Sequence, residues 1–175
     1  MEDTDFQVRH EITHVLTFSF YTKKAEITSD HLHSLIEIAT HSKMESAKET
    51  AIKLIGKIDG KKATTLLIKK LSDASYHVRK EAKNALKGRK LGKSDLSILS
   101  KQLRESSTDK EFIVTLIGKI EGDAATKVLI QNMSDDDYYA RKELFRVLQN
   151  RELSNDAVEE LAKQLMNSSL SETRI

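Results

Sequence analysis

Residues 54–86 (LIGKIDGKKATTLLIKKLSDASYHVRKEAKNAL) and 116–148 (LIGKIEGDAATKVLIQNMSDDDYYARKELFRVL) align without a gap at an offset of 62, with about half of the positions identical. The match extends outward: DLSILSKQL at 95–103 meets AVEELAKQL at 157–165, pairing Leu99 with Leu161 and Leu103 with Leu165. Half the offset also works, because Ala51 and Ala82, and Ile113 and Leu144, lie 31 apart on apolar stripes. A period of this length, holding two amphipathic segments, is the pattern of a helical solenoid. One such hairpin cannot bury its own apolar face, so neighbouring copies must stack into a continuous core.

The stripes have helical spacing: Leu67, Ile68 and Leu71 in one segment, then Val78, Ala82, Ala85 and Leu86 in the next. Ser, Asn or Asp stands where N-caps belong, at Ser29-Asp30, Ser94-Asp95 and Ser154-Asn155-Asp156. The chain has no proline and only six glycines, which disfavours a sheet-and-turn architecture and suits helices joined by short polar turns. Paired helices A and B are therefore expected at 30–41 with 44–58, 61–72 with 75–88, 94–105 with 109–120 and 123–134 with 137–151. A lone A helix should follow at 156–168. At the other end, DTDFQVRHEITHVL (3–16) resembles the B segment DASYHVRKEAKNAL (73–86). One domain over 1–175 is expected, with a capping half-repeat and connector at 1–29, four helical pairs at 30–151, and a capping helix and tail at 152–175.

A B helix begun by Asp-x-x-x-x-Val-Arg and ended by Ile-Gly-x-Ile, followed by an A helix and Leu-Ser-Asp, resembles the HEAT-like repeats typified by phycobilisome lyases. The resemblance implies an all-α fold, a right-handed α-solenoid of about ten helices. It also implies that the Asp and Arg flanking the intra-repeat turn, here Asp73 with Arg79 and Asp135 with Arg141, form a hydrogen-bonded ladder between neighbours. Such arrays serve as scaffolds, adaptors, bilin lyases or DNA glycosylases, so the motif speaks for architecture more than for function.

Two short motifs point to chemistry. His10-Glu11-Ile12-Thr13-His14 matches the zinc-protease pattern, in which histidines four apart on a helix hold the metal and the glutamate activates water. Glu11, however, falls at the repeat position of Glu81 and Glu143, which have no flanking histidines, and no third ligand stands out. Gly88-Arg-Lys-Leu-Gly92-Lys93-Ser94 is one residue short of a phosphate-binding loop and follows a helical pattern where that loop needs a strand. Both are set aside, and no catalytic residue, metal or cofactor is expected. Cysteine is absent, which removes disulfides, thiolate zinc sites and cysteine nucleophiles.

The net charge of +2 hides an uneven distribution. Residues 51–104 carry 15 basic against 4 acidic side chains, between flanks that are both net acidic. Arg79, Lys83, Lys87, Arg89, Lys90 and Lys93 make its dense part and are the candidates for a polyanion site. Lysine on exposed helix faces is also ordinary solvation, and the absence of Trp provides poorly for base stacking.

In solenoids of this kind the B helices line the concave face. Its solvent stripe should carry His77, Lys80, Asn84 and Lys87 in one repeat and Tyr139, Lys142, Arg146 and Gln149 two repeats on. The leading expectation is a non-enzymatic module that binds a protein partner through this stripe. Nucleic acid or another polyanion is the alternative, and a bilin-lyase-like enzyme or pigment chaperone is a third reading implied by the resemblance alone. No run is long enough to span a membrane and the acidic start does not read as a signal peptide, so a cytoplasmic protein is expected. The terminal segments each lack a usual neighbour, and Val158, Leu161 and Leu165 should show on the last helix. A capped monomer is expected, with weak head-to-tail self-association as the alternative.

Overall fold

A computed structural model describes residues 28–172, with side chains to Met166. Nine α-helices and no strand are found among the described residues. They are α1 (Leu32–His41), α2 (Glu45–Ile55), α3 (Lys61–Lys69), α4 (Tyr76–Lys87), α5 (Lys93–Glu105), α6 (Lys110–Gly118), α7 (Asp123–Gln131), α8 (Tyr138–Gln149) and α9 (Asn155–Glu172). A 3-10 turn at Ser29–His31 precedes α1, and another at Lys70–Ser72 extends α3. Each pair expected from the repeat is present, with A helices α1, α3, α5, α7 and α9 and B helices α2, α4, α6 and α8. The chain divides into two compact units between Arg89 and Lys90.

In the first unit the apolar residues predicted for the stripes make the core: Leu67, Ile68, Leu71, Val78, Ala82 and Leu86 are all fully buried. In the second unit Leu99, Leu103, Ile113, Ile117, Leu129, Ile130 and Leu144 do the same. Packing is closest where B helices meet. A Cβ placed on Gly56 would lie 2.8 Å from Ala85 Cβ, and one on Gly118 would lie 2.9 Å from Val147 Cγ1. Glycine at these matched positions lets α2 approach α4, and α6 approach α8.

The B helices end earlier than their periodicity suggests, at Ile55 and Gly118 rather than near Ile58 and Ile120. Gly60 and Gly122 then turn the chain with φ of +119° and +95°, a region that L side chains rarely adopt. Early termination leaves C-terminal carbonyls without intrahelical donors. Arg89 takes up the first set: Nη2 donates to the carbonyls of Ile55 (3.0 Å), Gly56 (3.1 Å) and Ile58 (2.6 Å), and Nη1 to Thr64 Oγ1 (3.1 Å). Arg151 repeats the arrangement with Ile117 (3.2 Å), Gly118 (2.9 Å), Ile120 (2.7 Å) and Thr126 (2.9 Å). Every member of the second set stands 62 residues after its counterpart in the first.

Of the three expected N-caps one holds and two shift: Ser29 and Asp30 lie inside a 3-10 turn that Thr28 begins, and no side chain caps α1. Ser154 Oγ accepts from the Ala157 N–H, as placed. Helix α5 starts at Lys93, one residue before its expected cap, and Asp95 reaches back to accept from the Gly92 N–H at 2.9 Å. A carboxylate at the third helical position satisfies the free N–H in this way.

Candidate functional site

The orientation of α4 follows from its buried stripe. Val78, Ala82 and Leu86 are fully covered, so His77, Lys80, Asn84 and Lys87 emerge on the opposite face, and all four are exposed. The helix start is fixed by Ser75, whose Oγ accepts from the Val78 N–H at 3.3 Å, and by Asp73, whose carboxylate accepts from the Ser75 N–H at 3.1 Å. Tyr76 is also exposed, with its ring edge-on to His77 at 5.6 Å and the Arg79 guanidinium 5.9 Å from its centroid. Lys87 Nζ donates to Asn84 Oδ1 at 3.5 Å.

Helix α8 is built alike from Ala140, Leu144 and Leu148, capped by Asp137 accepting from the Ala140 N–H at 2.8 Å. Tyr139, Lys142, Arg146 and Gln149 are exposed as predicted, but the face contains more than the sequence reading named. Tyr138 is 61% exposed, Tyr139 64% and Phe145 57%, so three aromatic rings stand on the outside of one helix. The rings of Tyr138 and Tyr139 meet edge-to-face at 5.4 Å. Arg146 is held as a fork on Glu143, with Nε–Oε2 at 2.6 Å and Nη2–Oε1 at 2.5 Å, while Thr115 Oγ1 of α6 donates to Glu143 Oε1 at 2.7 Å. The Arg146 hydrogen bonds hold the Glu143 carboxyl below its ordinary range against the opposing effect of burial, with Thr115 assisting. Glu143 is thus satisfied and turned inward, and it leaves Lys142 uncompensated on its own helix face.

The basic centre is thinner than its composition suggests. Arg89, expected among the surface cations, is instead committed to the carbonyls of Ile55, Gly56 and Ile58, and burial lowers its pKa. Arg79 is likewise engaged, donating to the carbonyls of Asp73 (2.9 Å) and Ala74 (3.0 Å). Lys83 is half-buried, and only Lys87, Lys90 and Lys93 of the six candidates are fully exposed. The Gly88–Ser94 segment is a connection from the end of α4 into the first residues of α5, with no preceding strand.

The expected Asp–Arg ladder takes a different form. Arg79 and Arg141 each donate to a backbone carbonyl at the start of their own turn, Arg79 to Asp73 O at 2.9 Å and Arg141 to Asp135 O at 2.6 Å. The carboxylates turn to lysine: Asp135 receives Lys110 Nζ at 2.7 and 2.9 Å from the preceding B helix, and Asp73 receives Lys70 Nζ at 2.8 Å. Burial would raise the Asp73 pKa, but the Lys70 and Ser75 hydrogen bonds outweigh it and keep the carboxyl below its usual value.

No group of three or more His, Asp or Glu side chains able to hold a metal occurs among the described residues. The His10-Glu11-His14 motif lies outside them. No helix among them is long and apolar enough to cross a membrane. On the terminal A helix, Val158 and Leu165 are exposed and Leu161 half-buried.

A family model described as HEAT repeats matches residues 32–111, from the start of α1 into the first turn of α6. No curated protein matches the chain. Beyond residue 111 the pattern continues at the offset of 62, with Gly118, Gly122 and Arg151 as counterparts of Gly56, Gly60 and Arg89.

Proposed function

The chain is a HEAT-like repeat protein, and from that premise we propose that it is a non-enzymatic module that binds protein partners through the exposed stripes of α4 and α8. HEAT repeats in general mediate protein–protein interaction. The single observation that carries the reading is α8, which exposes Tyr138, Tyr139 and Phe145 beside Lys142 and Arg146. Tyrosine and arginine dominate the energetics of protein interfaces, because they bury large area at small entropic cost and still offer hydrogen bonds. A helix meant only for solvent has no use for three rings at more than half exposure. The α4 stripe, His77, Lys80, Asn84 and Lys87, is its polar counterpart. The two stripes are read as separate surfaces with separate chemistry.

Nucleic acid is the weaker reading. Of the six cations proposed for it, Arg79 and Arg89 already serve the fold, and a phosphate backbone would have to be held mainly by Lys87, Lys90 and Lys93. No observation favours pigment chemistry.

The test is selection of a displayed peptide library on the immobilised chain, followed by rebinding to Lys80→Glu/Lys87→Glu and Tyr139→Ala/Lys142→Glu. Clones that lose binding to one stripe variant and keep it to the other support the reading. Clones indifferent to both, or no enriched clone at all, contradict it.

A further inference from the structure

Phe145 stands at a repeat position that is covered in α6 and α2 and is held by half-buried Lys83 in α4. Its counterpart one half-period back is Val114 in α6, and two steps further back it is Ile52 in α2; both are fully buried, whereas Phe145 is 57% exposed. Helix α6 is followed by the B helix α8, and α2 by α4, each packed against it. Among the described residues no B helix follows α8. The side of α8 that carries Phe145 is therefore shaped as a seat for one more helix of the B type.

The charges around this seat narrow what it takes. Tyr138, Lys142, Phe145 and Gln149 fall within one narrow sector of the helix, at spacings of three, four and seven residues. Lys142 is a cation, and no carboxylate shares the sector. The nearest acid on the helix, Glu143, points to Thr115 and is neutralised by Arg146. The helix that covers α6 meets it through Glu143 on Thr115 and Val147 against Gly118, and buries Ala140, Leu144 and Leu148, a stripe of small and aliphatic side chains every four residues. We propose that the Tyr138–Phe145 face of α8 docks an amphipathic helix of a partner protein, with aliphatic residues at that spacing against Phe145 and Tyr138 and carboxylates on its flank against Lys142. This assignment rests on the reading of α8 as a partner-binding surface and names the partner's chemistry. Association is the helix-on-helix mode in which apolar anchors give affinity and flanking charge gives orientation and specificity.

The probe is a fluorescein-labelled alanine-based peptide of about 20 residues, long enough to hold helix in water. Leucines occupy every fourth position and glutamates flank the stripe; a second peptide has lysine in place of each glutamate. Anisotropy with the full chain should show saturable one-to-one binding of the acidic peptide and at least tenfold weaker binding of the lysine peptide. Phe145→Ser and Lys142→Glu should each weaken the acidic peptide about tenfold, the cost of losing one anchor. Both residues are exposed, and an unchanged circular dichroism spectrum verifies the fold. Lys80→Glu/Lys87→Glu on α4 should leave the affinity within about twofold.

Failure to saturate, equal affinity for the two peptides, or indifference to Phe145→Ser overturns the proposal. So does a concentration-dependent mass in sedimentation that disappears in Phe145→Ser, since a second copy would then occupy the seat. If the library yields stripe-dependent binders while this peptide fails, the binding-module reading stands and only the partner's chemistry falls.

Discussion

The two units share their turns and their close helix approaches and differ on their B-helix faces. Arg89 and Arg151 hold the same four acceptors, Gly56 and Gly118 make the same close approach, and Gly60 and Gly122 make the same turn. On the exposed sides of α4 and α8 the matched residues run Tyr76 and Tyr138, His77 and Tyr139, Lys80 and Lys142, Lys83 and Phe145, Asn84 and Arg146, Lys87 and Gln149. Four of these six pairs differ, and the changes exchange lysine, histidine and asparagine for aromatics, arginine and glutamine. Where geometry dictates the residue it has been kept. Where solvent or a partner would dictate it, the two units have parted, as the proposed separate surfaces require.

The largest effect should come from the shared arginines. Arg151→Ala strips donors from the carbonyls of Ile117, Gly118 and Ile120 at once, and Arg89→Ala does the same in the first unit. Each buried group left without a partner costs ~1–3 kcal/mol; Ile55 and Ile117 still accept the N–H of Ile58 and Ile120, and with partial access of water the total is about 3 kcal/mol. Lysine should not rescue either position, because a single ammonium cannot fan across four acceptors. Urea titration of the four variants checks this, and a loss confined to one unit would break the equivalence.

A smaller loss, about 1–3 kcal/mol, is expected from alanine at the two glycines. The units should differ here. The new Cβ at Gly118 meets valine methyl groups that can turn, whereas at Gly56 it meets Ala85 Cβ, which moves only with its helix. Gly56→Ala should therefore cost more than Gly118→Ala in thermal unfolding. The reverse order would mean that α4 yields more readily than α8.

The acid sensitivity of the units should separate as well. Glu143 has a folded pKa depressed from its ordinary 4.5 by Arg146 and Thr115, and Asp73 one depressed from 3.8. A depressed carboxylate contributes stability above its unfolded pKa and loses it as pH falls through the folded value. The deficit of Glu143→Gln relative to the parent should be present at pH 7 and shrink as pH falls below about 4.5. For Asp73→Asn the same shrinkage should begin lower, below about 3.8. Unfolding curves at stepped pH read both, and a deficit that persists at the acid end would remove the ion pair as its cause.

The smallest effect expected is on nucleic acid. With Arg79 and Arg89 occupied, labelled single-stranded DNA should bind weakly even at low salt, and its affinity should fall only shallowly as salt rises, because few phosphates can be neutralised. Retention at physiological salt, lost in Lys87→Glu/Lys90→Glu, would move the active surface to the basic centre.

The helices were legible because the repeat doubles every signal: a stripe read once at Val78–Leu86 is read again at Ala140–Leu148. Arg89 was not, because a lone arginine between two glycines looks like a surface cation or part of a phosphate loop. Its pairing with Arg151, together with Thr64 and Thr126 at the same offset, was the signal that marks it as structural. The Asp–Arg pairs were legible as turn residues and no further, since the spacing fixes which turn a side chain caps but not that Asp135 meets Lys110 and Arg141 a carbonyl. Phe145 was passed over because its register, one residue from buried Leu144, suggests packing. Its exposure depends on whether another helix follows, which a local pattern does not contain.

The central claim is that the buried positions carry the fold and the exposed B-helix stripe carries recognition. It is tested most directly by replacing exposed residues of the α8 stripe with their α4 counterparts through Tyr139→His, Phe145→Lys and Gln149→Lys. Calorimetric titration with the acidic amphipathic peptide should then show no site where the parent shows one, with the free energy of unfolding within about 0.5 kcal/mol of the parent per substitution, as for surface changes. A folded variant that still binds the peptide as the parent does, or a loss of stability comparable to that of the arginine variants, would contradict the account.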